Sequence, residues 1–121
     1  MLQVTPHMRI YVAIEPIDFR CGVDGLAAAC RQRLKRDPFS GALFVFRNRQ
    51  RTALKLLVYD SQGYWMCHKR FSSGRLRWWP GSADQVEVSL EAFELQALLY
   101  GGDPRTLRPV ETWRKVTPPS P

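Results

Sequence analysis

The side chains with the plainest chemical purpose in this sequence are cations, and they are bunched. Between Arg47 and Arg77 lie Arg47, Arg49, Arg51, Lys55, Lys69, Arg70, Arg75 and Arg77, against the single acid Asp60. That local excess equals the +7 net charge of the whole 121-residue chain, so the rest of the sequence is balanced. Solubility alone does not require a local excess, whereas a polyanionic partner does. Fourteen of the eighteen basic residues are arginine, whose planar fork suits bidentate contact with phosphates and base edges. The most recognition-like segment is Arg47-Asn48-Arg49-Gln50-Arg51. Arginines of this kind read guanine or phosphate, and amides read adenine. The same composition also makes an ordinary polar hairpin loop.

No catalytic constellation stands beside this charge. Metal-dependent phosphoryl chemistry needs converging carboxylates, and the candidates are Asp18, Asp24, Asp37 and Asp60. Asp18 and Asp24 flank one turn, where turn-forming and helix-capping roles are the stronger reading. His7 and His68 have no sequence partner. Cys67 adjoins His68, but neighbours on a strand point to opposite faces. Cys21 and Cys30 read as small buried hydrophobes. No glycine-rich phosphate loop occurs. The sequence therefore predicts no enzyme activity, metal, cofactor or small-molecule substrate.

The remaining composition narrows the setting. A hydrophobic share of 45% allows a real core in one domain. No apolar run approaches the roughly 18–20 residues of a membrane span. The opening Met1-Leu2-Gln3-Val4-Thr5-Pro6 does not read as a secretory signal. Three cysteines make neither a metal pair nor an even disulfide set, so a reduced cytoplasmic protein is expected.

The elements that must position the cations follow from local pattern. Residues 1–8 read as a lead-in, 9–103 as one α+β domain, and 104–121 as a mobile proline-rich tail. Arg9–Ile14 is β-branched and aromatic, the mark of a strand. A helix is expected over 23–34, with Val23, Leu26, Ala27, Cys30 and Leu34 on one face and Asp37-Pro38 stopping it. Then comes a mostly antiparallel four-strand meander at 42–46, 53–59, 64–71 and 75–79. Its turns are 60–63 and 72–74, and Pro80 ends it. Phe44, Trp65 and Trp78 are the expected aromatic core. Ser89 reads as the N-cap of a second helix ending at Gly101-Gly102.

The last hairpin of this meander concentrates like charge. A two-residue loop at Ser72-Ser73 sets Arg70 opposite Arg75 and His68 opposite Arg77, all on one face. A three-residue loop groups Lys69 with Arg75 and Arg77 instead. Either register costs a few tenths to about 1 kcal/mol per like-charge pair, a cost that an anion would relieve. Trp79 shares a face with Arg75 and Arg77 and is placed to stack on a base; packing beside Pro80 is the plainer role. The expected nucleic-acid contacts are Arg47, Asn48, Arg49, Arg51, Lys69, Arg70, Arg75, Arg77 and Trp79.

Several blocks also carry a family pattern. Pro16-Ile17-Asp18-Phe19-Arg20-Cys21-Gly22-Val23-Asp24-Gly25-Leu26 and Asp37-Pro38-Phe39-Ser40-Gly41-Ala42-Leu43-Phe44-Val45-Phe46-Arg47-Asn48-Arg49 are the first two. Lys55–Asp60, Gly63-Tyr64, Lys69-Arg70-Phe71, Gly74–Pro80 and Leu98–Gly101 follow in order. Together they resemble the TnpB-type accessory proteins of bacterial insertion sequences of family sixty-six, over roughly residues 8–103. Cys21 stands where that pattern often has a basic residue. The resemblance implies a part in transposition without the cutting and joining of DNA, which falls to a separate acidic-triad transposase. It implies two partners, DNA at transposon ends or target and the transposase of the same element. The alternative function is a protein-interaction module docking on the transposase through the second helix and Trp113. A metal-dependent nuclease using Asp18 and Asp24 is the weakest reading.

Overall fold

The computed structural model describes residues 7–81 and 84–103. Strand β1 (Ile10–Ala13) leads through helix α1 (Val23–Gln32) to β2 (Leu43–Arg47). β2 lies parallel to β1, with Ile10 opposite Leu43. A parallel pair needs a crossover, and α1 supplies it. β3 (Ala53–Tyr59) and β4 (Tyr64–Arg70) add antiparallel hairpins. β5 (Glu87–Leu90) pairs antiparallel with the free side of β1, and helix α2 (Ala92–Leu99) follows. The sheet order is β4-β3-β2-β1-β5. This is the small, mostly antiparallel α+β domain that the sequence predicts.

β1, β2 and β3 are buried on both faces, which is why they read as continuous apolar runs. Strand alternation splits them. Tyr11, Phe44, Phe46 and Leu57 pack under Leu26, Ala27 and Cys30 of α1. Val12, Val45, Leu54 and Leu56 pack on the opposite face under Leu95 and Leu98 of α2. Gly22 is the N-cap of α1, with Asp24 in the first turn and Arg31 in the last, as the helix dipole favours. Gly25 is required there, because a Cβ would run into Cys21. α1 stops at Gln32 instead of 34. Lys35 takes a left-handed φ of 56° and the Arg36 N–H returns to the Cys30 carbonyl at 2.9 Å.

Three expectations are corrected. Residues 75–79 are not a strand. After Gly74, at φ 75°, the chain leaves the sheet plane and drops Leu76 and Trp79 into the core on the α2 side. Two buried residues three apart cannot lie on one face of an extended strand. Neither proposed hairpin register therefore forms, and Arg75 and Arg77 are not cross-strand partners of Arg70, His68 or Lys69. Ser89 is not a helix cap but a β5 residue opposite Tyr11. Glu91 caps α2, in a capping box with Glu94. Trp65 is 42% exposed, because β4 is an edge strand. Phe44 is buried as expected, and Trp78 is half-buried against the α2-side core.

Candidate nucleic-acid interface

The basic residues meet at one end of the sheet, where β2 stops, β3 begins and β4 stops. The β2–β3 loop is shaped by Asn48. Its side-chain oxygen accepts the N–H groups of Thr52 at 2.9 Å and Ala53 at 3.2 Å. Its amide nitrogen donates to the Thr52 hydroxyl at 2.8 Å. The bend is tight enough to hold Arg51 at φ 61°. Asn48 thus builds the loop, and Arg49 and Gln50 are presented at its tip, exposed.

The chain after β4 is tied to the same place. Phe71 N–H donates to the Thr52 carbonyl at 2.9 Å, and Leu76 N–H donates to the Arg51 carbonyl at 2.8 Å. These two bonds fold residues 71–76 back on the start of β3. Leu76 is buried, so its neighbours Arg75 and Arg77 are left outside, both exposed. The Leu76–Arg51 bond brings Arg75 and Arg77 up to Arg51, although more than twenty residues of sequence separate them from it. No sequence pattern signals this pairing.

Arg47 lies at the base of the cluster, half-buried. It donates to the Asn48 carbonyl at 3.1 Å, and its guanidinium lies 5.8 Å from the centre of the Trp79 ring. Its Nε is buried without a partner among the described residues. Burial first, then the positive charges of Arg51 and Arg49, push its pKa down, partly offset by Glu15. Desolvation and like charge both disfavour a cation, so this site is electrostatically primed for an anion.

The other expected contacts are placed unevenly. Arg70 is exposed, opposite Ala53. Lys69 donates to the Leu99 carbonyl at the end of α2 and lies 5.0 Å from the Tyr100 ring, satisfying the negative end of that helix. Trp79 is 6% exposed and donates its indole N–H to the Ala13 carbonyl at 2.9 Å. Its ring is therefore a core element carrying Arg47, out of reach of a stacking base. Lys55 is 5% exposed and donates to the carbonyls of Phe19 at 2.9 Å and Cys21 at 3.0 Å. It clamps the turn before α1 and does not belong to the surface excess.

Glu15 is the acid whose charge is felt at Arg47. Asp60 terminates the far end of β3, about 20 Å away along a seven-residue strand. It accepts the N–H groups of Gln62, Gly63 and the Trp65 indole, and these bonds, the Gln62 one foremost, lower its pKa. Ion pairs join Arg20 to Asp18 and Arg36 to Glu87. Asp18 closes its turn by accepting the Arg20 N–H at 2.9 Å. Asp24 is a first-turn helix residue. Among the described residues no group of three His, Cys, Asp or Glu side chains is arranged to hold a metal. No helix there is long and apolar enough to cross a membrane.

The sequence around this geometry matches a family model described as IS66 Orf2 like protein, over residues 8–109. The chain belongs to the IS66 Orf2-like, TnpB-type family. It is thereby an accessory protein of IS66-type transposition. It is 38% identical over 114 residues to "Uncharacterized protein y4hO" of Sinorhizobium fredii (strain NBRC 101917 / NGR234), covering 94% of this chain and 96% of that one. It is 35% identical over 95 residues to "Uncharacterized protein y4jC" of the same strain, covering 78% and 81%. No solved structure matches.

Proposed function

We propose that this family member is a non-catalytic DNA-binding factor, engaging DNA through the arginine-rich end of its sheet. The observation that carries this reading is the folding of Arg75 and Arg77 onto the Arg47–Arg51 loop by the Leu76–Arg51 hydrogen bond. Arg49, Arg51, Arg70, Arg75 and Arg77 would contact phosphates. Arg47 is the inner donor, with an unpartnered Nε. Asn48 and Trp79 support this surface from within, and Lys69 is already engaged at α2.

A second reading has its own observation. Phe93 and Tyr100 of the α2 region are 58% and 70% exposed, and large apolar side chains so placed suit a protein partner such as the element's transposase. Trp113, the other anchor expected for that contact, lies outside the described residues. Charge reversal separates the two. The double variant Arg75→Glu, Arg77→Glu is expected to lose duplex DNA affinity by at least about tenfold at moderate salt, measured by fluorescence anisotropy on element-end DNA. Unchanged DNA binding together with intact co-purification of the transposase would favour the docking reading.

A further inference from the structure

β4 is an edge, and among the described residues nothing pairs with its outer side. The Phe71–Thr52 and Asp60–Gly63 hydrogen bonds set the phase of the β3–β4 ladder. Trp65, Cys67 and Lys69 turn their backbone groups toward β3, and Tyr64, Met66, His68 and Arg70 turn theirs outward. The strand has no proline and no bulge, and all seven of its residues are paired to β3 in unbroken register. Its side chains are mostly exposed, including Trp65 and Met66 at 42% and 38%. Such an edge is a template for another strand.

The order of residues along the edge selects the partner. A two-fold axis through Cys67, perpendicular to the sheet, sets a second copy antiparallel against the first. Arg70 then faces Tyr64, Lys69 faces Trp65, and His68 faces Met66. Arg70 and Lys69 each lie opposite an aromatic residue and neither lies opposite another cation; Lys69 keeps its bond to the Leu99 carbonyl. All four outward-facing residues find hydrogen-bonding partners. Moving the axis to Met66 or His68 leaves strand ends unpaired, and moving it to Lys69 opposes two lysines. We propose that the protein forms a two-fold homodimer by antiparallel pairing of β4 with β4 of a second copy, in register about Cys67. This goes beyond the DNA reading and joins two sheets into one, with an arginine-rich end from each copy.

Two measurements on the full chain test it. Sedimentation equilibrium at micromolar concentration is expected to show a dimer. Met66→Pro removes an outward N–H and leaves the β3 ladder intact; it should weaken dimerisation by about tenfold or more. The register puts the two Cys67 residues in a pair without mutual hydrogen bonds, Cα atoms about 4.5 Å apart, within disulfide reach. In a Cys21→Ser background, diamide should take two electrons and two protons from these thiols and leave one Cys67–Cys67 disulfide. A monomer throughout that range, a dimer that cannot be cross-linked at Cys67, or a folded Met66→Pro that dimerises normally would each overturn the proposal. If Met66→Pro does not fold, the dimer and its Cys67 cross-link decide the matter.

Discussion

Asn48 spends its amide on its own loop. Its oxygen takes two backbone N–H groups that would otherwise lack partners. Asn48→Ala should therefore cost about 1–3 kcal/mol in denaturant unfolding and, under the proposed DNA reading, should weaken binding only by loosening Arg49 and Arg51. Asp18 behaves differently because it is solvent-exposed. The Arg20 side chain, then the Arg20 backbone N–H, hold its pKa at about 2 against 3.8. A carboxylate depressed in the fold stabilises above its unfolded value, and that contribution is lost as pH falls through 3.8 toward about 2. Carbon-detected NMR titration should show the Asp18 midpoint near 2; an ordinary midpoint would mean the turn is open in solution. Cys30 is the inverse case, its thiol pushed up to about 12, mainly by burial. It should resist iodoacetamide at neutral pH while the half-buried Cys21 reacts.

Among the elements, the segment 71–79 decides how the site is built. Leu76 and the Trp79 indole are its two anchors, one by burial and one by the bond to the Ala13 carbonyl. Trp79→Phe keeps a ring but strands that carbonyl, so stability should drop by about 1–3 kcal/mol on thermal or urea unfolding. The sequence reads this segment as a strand because Leu76, Trp78 and Trp79 have strand-forming character. Only the tertiary bond to Arg51 distinguishes a strap from a strand. β5 escapes for a related reason: Ser89 at a helix entrance imitates an N-cap, although the Glu91–Glu94 pair is the working cap. β1 to β3 and α1 are legible because their apolar spacing is fixed by a sheet buried on both faces; β4, mostly exposed, is legible from the Asp60–Gly63 turn that precedes it. The arginines themselves are legible as a stretch of chain. Their convergence is not, since it depends on contacts between residues far apart in sequence.

At the scale of the molecule, charge is distributed along the strand direction. Arg47, Arg49, Arg51, Arg70, Arg75 and Arg77 occupy one end, and Asp60 closes the β3–β4 turn at the other. The described surface thus gathers exposed arginines at one end of the sheet, the feature on which the proposed DNA contact rests. Phosphate contact has a quantitative signature, because each neutralised phosphate releases counterions. The most direct measurement is the affinity for element-end duplex DNA across a salt series. With about six phosphates engaged, log K should fall against log salt with a slope of roughly −5. A slope near zero, or no binding at low salt, would contradict the assignment of this surface to DNA.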